Sequence, residues 1–422
     1  AAVEAVASGW REDPETPGWL RVRAVHDEHR FVRQAAVEAV ASNWREDPET
    51  PGWLRVRAVE DPDGSVRQAA VEAVASNWRE DPETLGWLRV RAVHDEHRFV
   101  RQAAVRAVVS GWRENPVMVG WVRARAVHDA HWSVRQAAVE AVVSGWREDP
   151  VMVGWLRARA VQDAHWSVRQ AAVRAVVSGW REDLATPGWL RARAVHDPHW
   201  SVRQVAVRAV VSGWREDPVM VGWVQARAVH DPHWSVRQAA VRAVVSGWST
   251  DPATLGWLRV RAVEDPDGFV RQAAVEAVAS GWREDPETLG WVRARAVHDP
   301  DEDVRQAALE AVVSGWGADP GTVGWLRARA VHDAHWSVRQ AAVRAVVSGW
   351  REDLATVGWV RARAVHDPDE DVRQVAVRAV VSGWREDPAT VGWLRARAVE
   401  DPDVDVRRAA EAGARRGVTH GS

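Results

Sequence analysis

The chain has 422 residues, 46% of them apolar, with 56 lysine-plus-arginine and 59 acidic side chains and a formal net charge of −3. That balance offers no basic field to attract nucleic acid, and no apolar run approaches the roughly 18–20 residues of a membrane span. All 56 basic side chains are arginine and there is no cysteine, which excludes a P-loop lysine, a Schiff base, a thiolate nucleophile, a disulfide and a cysteine metal site.

The chain opens at Ala1, already inside a helical pattern that closes on Trp10. That tryptophan recurs every 34 residues, at Trp44, Trp78, Trp112, Trp146 and on to Trp384, and a second follows nine residues later, from Trp19 to Trp393. A fixed period of this size means a stacked array in which each unit touches only its neighbours. Twelve units fill residues 1–405, the first lacking its opening three residues, and residues 406–422 read as a capping helix and tail. In the unit Val134–Ser167, Asp149 and Pro150 read as an N-cap and a first-turn proline. The spacing predicts a first helix to about Val161. Asp163 is expected to cap a second helix from about Ala164 through Val177, with Gly179 ending such a helix as a C-terminal glycine. Glycines inside the first helix, Gly120, Gly154 and Gly188, cost about 1 kcal/mol each relative to alanine. Either stacking offsets that cost or the helix starts later.

At about 100° per residue, Val134, Ala137, Ala138, Ala141, Val142 and Gly145 share one broad face of the second helix. Only Gln136, Glu140 and Ser144 form a clearly polar side. So wide an apolar arc suits a helix packed on its own partner and on both adjacent units, with alanines at the close contacts. Arg135 falls within that arc, where a charge needs a partner. Asp163 and Asp129 are the two candidates.

The spacing Asp-x-x-x-x-Val-Arg recurs at Asp129…Arg135, Asp163…Arg169 and Asp197…Arg203. With the alanine-rich second helix and the two-helix unit, it resembles the HEAT-repeat family in its short bacterial, phycobilisome-lyase-like form, over essentially the whole chain. That resemblance implies an all-α fold, a right-handed α-solenoid with a 34-residue period, and an inter-repeat ladder of these aspartates and arginines. The fuller repeat string is also similar to the C-terminal sensor arrays of NACHT or STAND proteins. The resemblance thus implies a cytoplasmic recognition array of a larger bacterial protein, with a protein or peptide ligand and no cofactor. The alternative is a structural repeat protein that assembles head to tail, self-associating through the open N-terminal end where Ala2, Val3, Val6 and Trp10 lack a preceding unit.

Three residue sets invite a chemical reading. Paired turn histidines such as His128/His131 and His196/His199 have a spacing that suits a metal, but other units carry Glu60/Asp63 or Glu264/Asp267 there, so they read as turn residues. Trp155 and Arg159, four apart, are expected to stack on one helix face. The third set varies from copy to copy: Trp132, Trp166, Trp200, Trp234 and Trp336 in the turn, and Arg174, Arg208 and Arg242 on the second-helix polar side, where other units carry Glu38, Glu72, Glu276 or Glu310. Tryptophan and arginine are the usual anchors of protein interfaces, so these eight are the candidate partner-binding residues. The alternative reading is packing for the tryptophans and drift for the charges. No acid–base or nucleophilic set emerges, which speaks against an enzyme like the HEAT-like phycobilin lyases.

Overall fold

The computed structural model describes residues 2–249, 251–385 and 387–418. Among them are 25 α-helices, from Ala2–Gly9 to Val404–Val418, and no strand. They alternate as first and second helices of tandem repeats, an all-α solenoid. The chain divides into two compact units, residues 1–213 and 214–422. No described helix is long and apolar enough to cross a membrane. Ala1 and residues 419–422, including Gly421 and Ser422, lie outside the described residues, as does the side chain of Glu4.

The repeat around Leu156 shows how the sequence makes the pair. Asp149 accepts the Val151 N–H at 2.9 Å and Pro150 opens the first helix, Pro150–Gln162. Met152, Leu156 and Ala160, four apart, form its single buried stripe. Burying a side chain such as Leu156 contributes about 1.5–3 kcal/mol. The second helix, Trp166–Gly179, buries a far wider arc that includes Val168, Ala171, Ala172, Val173 and Val176.

The second helix departs from expectation at both ends. It begins at Trp166 rather than Ala164, and its cap is His165, whose Nδ1 accepts the Ser167 N–H at 3.2 Å. Asp163 instead terminates the first helix. Its N–H donates to the Arg159 carbonyl at 3.3 Å, and its carboxylate accepts the His165 N–H at 2.9 Å. This short turn leaves the carboxylate aimed at the preceding repeat. Gly179 is the last helical residue rather than a left-handed terminator, and no described glycine has positive φ. The next residue, Trp180, still donates to the Val176 carbonyl at 2.9 Å, so the helix unwinds without a reversal.

First helices occur in two lengths, each with its glycine inside. Gly120 and Gly154 lie inside full-length helices, where an added Cβ would meet nothing within 4 Å. Nothing in the structure explains the glycine there. Gly188 lies in a shorter helix that starts late, at Thr186.

Second helices pack directly on one another along each unit, as Trp132–Trp146 packs on Arg98–Trp112 and on Trp166–Gly179. Fully buried alanines such as Ala138 and Ala172 allow this close approach. First helices pack mainly on their own second helix, and long side chains bridge the wider space between them. Arg157 donates to Thr186 Oγ1 at 2.7 Å and to Asp183 at 3.2 Å, with its guanidinium 5.7 Å over the Trp189 ring. The expected stacking of Arg159 on Trp155 is therefore replaced. Arg123 of the preceding repeat covers Trp155 at 5.4 Å, while Arg159 turns to Gln162. The same-helix arrangement occurs at Arg23 and Trp19.

Arg135 engages both of its candidate aspartates. Its Nε and Nη2 each meet the Asp163 carboxylate at 2.9 Å, and its Nη1 donates to the Asp129 carbonyl at 3.0 Å. Burial pushes the Asp163 carboxyl up, but the Arg135 guanidinium and the His165 N–H outweigh this and hold it below the usual carboxylate range. The hydrogen bond to Asp163 in turn raises Arg135. Arg101 meets Asp129 at 3.0 Å and Arg169 meets Asp197 at 2.9 Å, and Arg203 donates to the Asp197 carbonyl at 3.0 Å. In the second unit Arg271 and Asp299 repeat the pair at 2.8 Å.

Candidate functional site

The turn that opens each second helix determines which side chains leave the solenoid. In the first unit, the cap histidine and the tryptophan after it alternate along successive turns. Trp132 stacks on His165 at 4.5 Å with planes 4° apart, and Trp166 stacks on His199 at 4.7 Å and 6°. Within each turn His131–Trp132, His165–Trp166 and His199–Trp200 lie 5.5–5.6 Å apart. The result is one pile of rings spanning three repeats, with 37% of each tryptophan exposed. Recognition and packing, the two readings of these residues, share one geometry: one ring face packs on histidine while an edge faces solvent.

The histidines missed as caps explain the pile. His165 accepts a backbone N–H through Nδ1, so its neutral ring carries the proton on Nε2. Burial first, then neighbouring arginines, holds His131, His165 and His199 below the ordinary histidine range, with Asp129, Asp163 and Asp197 opposing weakly. A depressed histidine favours the neutral folded form. Its contribution is complete above the unfolded value of 6.5 and is lost as pH falls toward the lowered folded value. The melting temperature is therefore expected to fall as pH drops below about 6.5. The triple change His131→Asp, His165→Asp, His199→Asp should flatten that fall, because Asp63, Asp267 and Asp301 cap the same position elsewhere. Parallel pH-melting curves for the two proteins would show that the caps do not titrate.

Behind each tryptophan the second helix carries glutamine four residues on and the variable charge eight residues on, one ridge at i, i+4, i+8. The charge decides what the glutamine does. Where it is glutamate, Gln136 donates to Glu140 at 2.8 Å, as Gln34 does to Glu38 and Gln68 to Glu72 at 2.9 Å. Where it is arginine, that bond is absent, and in several repeats the glutamine reaches the next one. Gln170 reaches the Ser201 carbonyl at 3.2 Å, and Gln238 reaches the Phe269 carbonyl at 3.0 Å. Arg174 and Arg208 are exposed and make no hydrogen bond or ion pair among the described residues, whereas Arg106 pairs with Glu140 at 3.8 Å. Between the second helices Arg98–Trp112 and Trp132–Trp146 lies a groove of about 540 Å³, lined by Arg106, Ser110, Glu140 and Ser144 over an alanine floor.

The remaining candidates belong to the second unit. Trp234 lies 5.0 Å from Phe269 in a tilted pair, Trp336 lies 5.7 Å from its cap His335, and Arg242 is exposed. Gly268 and Glu302 occupy the intervening turns, so Trp336 stands apart from Trp234. Comparable grooves there include one of about 510 Å³ beside Glu276 and Glu310.

A family model described as HEAT repeats matches residues 53–143, 121–211, 186–279, 221–313 and 323–415. No curated protein sequence matches. Among solved structures, the chain is similar to Kap95p, whose binding induces the switch loops of RanGDP to adopt the GTP-bound conformation. The identity is 13% and the TM-score 0.59, covering 96% of this chain and 61% of that one. It is also similar to Kap121p bound to Nup53p, at 12% identity and TM-score 0.52 over 97% and 50% of the two chains. Kap121p bound to Ste12p gives 12% and 0.53 over 99% and 50%. At these identities the likeness concerns fold alone, and the chain spans about half to three-fifths of the length of those proteins.

Proposed function

The chain belongs to the HEAT-repeat family, and from that premise we propose that it is a non-enzymatic protein-binding solenoid. In our reading it is the cytoplasmic C-terminal recognition array of a larger bacterial signalling or defence protein of the NACHT/STAND type. Its ligand is a protein or peptide, as Nup53p and Ste12p are for Kap121p. The observation that carries the reading is the pair of ridges Trp166–Gln170–Arg174 and Trp200–Gln204–Arg208. Each joins a half-exposed indole to an exposed guanidinium, and neither Arg174 nor Arg208 has an ionic partner among the described residues. An acidic, partly apolar segment matches that surface, with Trp132 extending it. Glu38 and Glu72 in earlier repeats repel such a segment and limit its register. Trp234, Trp336 and Arg242 are the corresponding candidates in the second unit. Head-to-tail self-association through the opening helix is the alternative proposal, resting on the 59% exposure of Trp10.

The test is the double change Trp166→Ser, Trp200→Ser, screened against an array of acidic peptides containing aromatic or large aliphatic residues. Peptides that bind the parent chain should lose about tenfold or more in affinity, the scale of losing interface hot spots. The lost stacking on His199 should cost only about 0.5–1.5 kcal/mol per ring pair. Unchanged binding with a large fall in melting temperature would make these tryptophans packing residues.

A further inference from the structure

The first-helix layer carries a second, separate pattern. Every repeat has an arginine three residues before the last residue of its first helix, and in the second unit the identity of that last residue decides whether the outer guanidinium groups are engaged. Where it is glutamate, the helix closes its own ion pair. Arg57 meets Glu60 at 2.7 Å, Arg261 meets Glu264 at 2.8 Å, and Arg397 bonds Glu400. Where it is glutamine, Arg159 bonds Gln162. In three consecutive repeats of the second unit it is histidine: Arg295/His298, Arg329/His332 and Arg363/His366. Among the described residues these three arginines make no side-chain hydrogen bond or ion pair. Each is half-buried, and its buried Nε–H has no acceptor, as is also the case at Arg261, so the difference from the paired repeats lies at the outer guanidinium N–H groups.

The nearby carboxylates are committed elsewhere. Asp299, Asp333 and Asp367 belong to the ladder with Arg271, Arg305 and Arg339. Asp301 and Asp369 cap second helices, and Glu302 faces His335 at 3.7 Å. The row is bounded on both sides by the self-neutralised pairs at Glu264 and Glu400.

We propose that Arg295, Arg329 and Arg363 bind an acidic peptide segment in extended conformation, with one carboxylate on each guanidinium. The flanking repeats supply the internal precedent: Glu264 and Glu400 show that a carboxylate engages this same arginine. Successive helix layers lie on the order of 10 Å apart, and an extended chain in the polyproline II conformation rises about 3.1 Å per residue with three residues per turn, so every third side chain returns to the same face. The matching segment therefore carries an acidic side chain at every third position. A net charge of −3 disfavours nucleic acid, whose binding needs a broad basic field. This site is independent of the tryptophan ridges, which lie on second helices.

The experiment titrates the full chain with a labelled peptide bearing three glutamates, one at every third position. The comparison protein carries His298→Glu, His332→Glu and His366→Glu, which installs in each repeat the carboxylate that Glu264 and Glu400 already supply within folded helices. The expected result is binding that weakens about tenfold or more in the triple variant and is unchanged in the Trp166→Ser, Trp200→Ser protein. A peptide with the same residues but adjacent glutamates should bind more weakly than the spaced one. Equal binding by the triple variant overturns the site, and equal binding of the two peptides overturns the register. An oligonucleotide of equal charge that binds as tightly, with the same loss in the variant, replaces the peptide as ligand.

Discussion

Arg169→Ala is expected to destabilise the first unit by about 3–5 kcal/mol, the scale for breaking one partner out of a buried ion pair. Arg169 donates through Nε and Nη2 to Asp197, both at 2.9 Å, and through Nη1 to the carbonyls of Asp163 and Ala164 at 2.9 and 3.1 Å. Truncation strands a carboxylate only 2% exposed, together with two carbonyls. The surviving contact to Asp197 is the His199 N–H at 2.9 Å, which is too little for a buried charge. Because each repeat touches only its neighbours, the loss should be local. Amide exchange should accelerate in Pro150–Gln162, Trp166–Gly179 and Thr186–His196 ahead of the earlier repeats. Protection unchanged around residues 163–199 would mean that the arginine is merely solvated.

Leu156→Ala should cost about 2–5 kcal/mol, the range for emptying a large aliphatic site in a close-packed interior. Leu156 is wholly buried and is the central residue of the stripe Met152–Leu156–Ala160. Its counterpart in the second unit is Leu326, also wholly buried. Since the two lie in separate compact units, the costs should add within about 0.5 kcal/mol in the double variant. Each single change should raise exchange only in its own unit. Exchange raised in both units by a single change would show that the chain melts as one cooperative block.

Much of the architecture was legible in the sequence because its causes are local or strictly periodic. The 34-residue recurrence of tryptophan, the Asp-Pro helix starts and the broad apolar arc around Val134 depend on neighbours along the chain or on the next identical copy. The two candidate partners of Arg135 followed from the rule that a charge on an apolar arc must be satisfied. The caps were misread because aspartate is the stronger N-cap type in general. Only the turn geometry shows Asp163 given to Arg135 of the preceding repeat, leaving the cap to His165.

The same limit applies to the candidate site. The composition of each repeat determined which positions vary, and so nominated Trp132, Trp166, Trp200, Arg174 and Arg208. It could not say that Trp132 would lie flat on His165, that Arg123 rather than Arg159 would cover Trp155, or that exchanging glutamate for arginine would release Gln170 to the next repeat. Each of those is a contact between residues some 30 positions apart, determined by how far successive helices stand from one another. The sequence by itself therefore determined the repeat, its two helices and their buried faces. The tertiary structure alone decided the partners across repeats, because helix separation selects whether a long side chain is satisfied within its own helix, by the next repeat, or, as at Arg329, by neither.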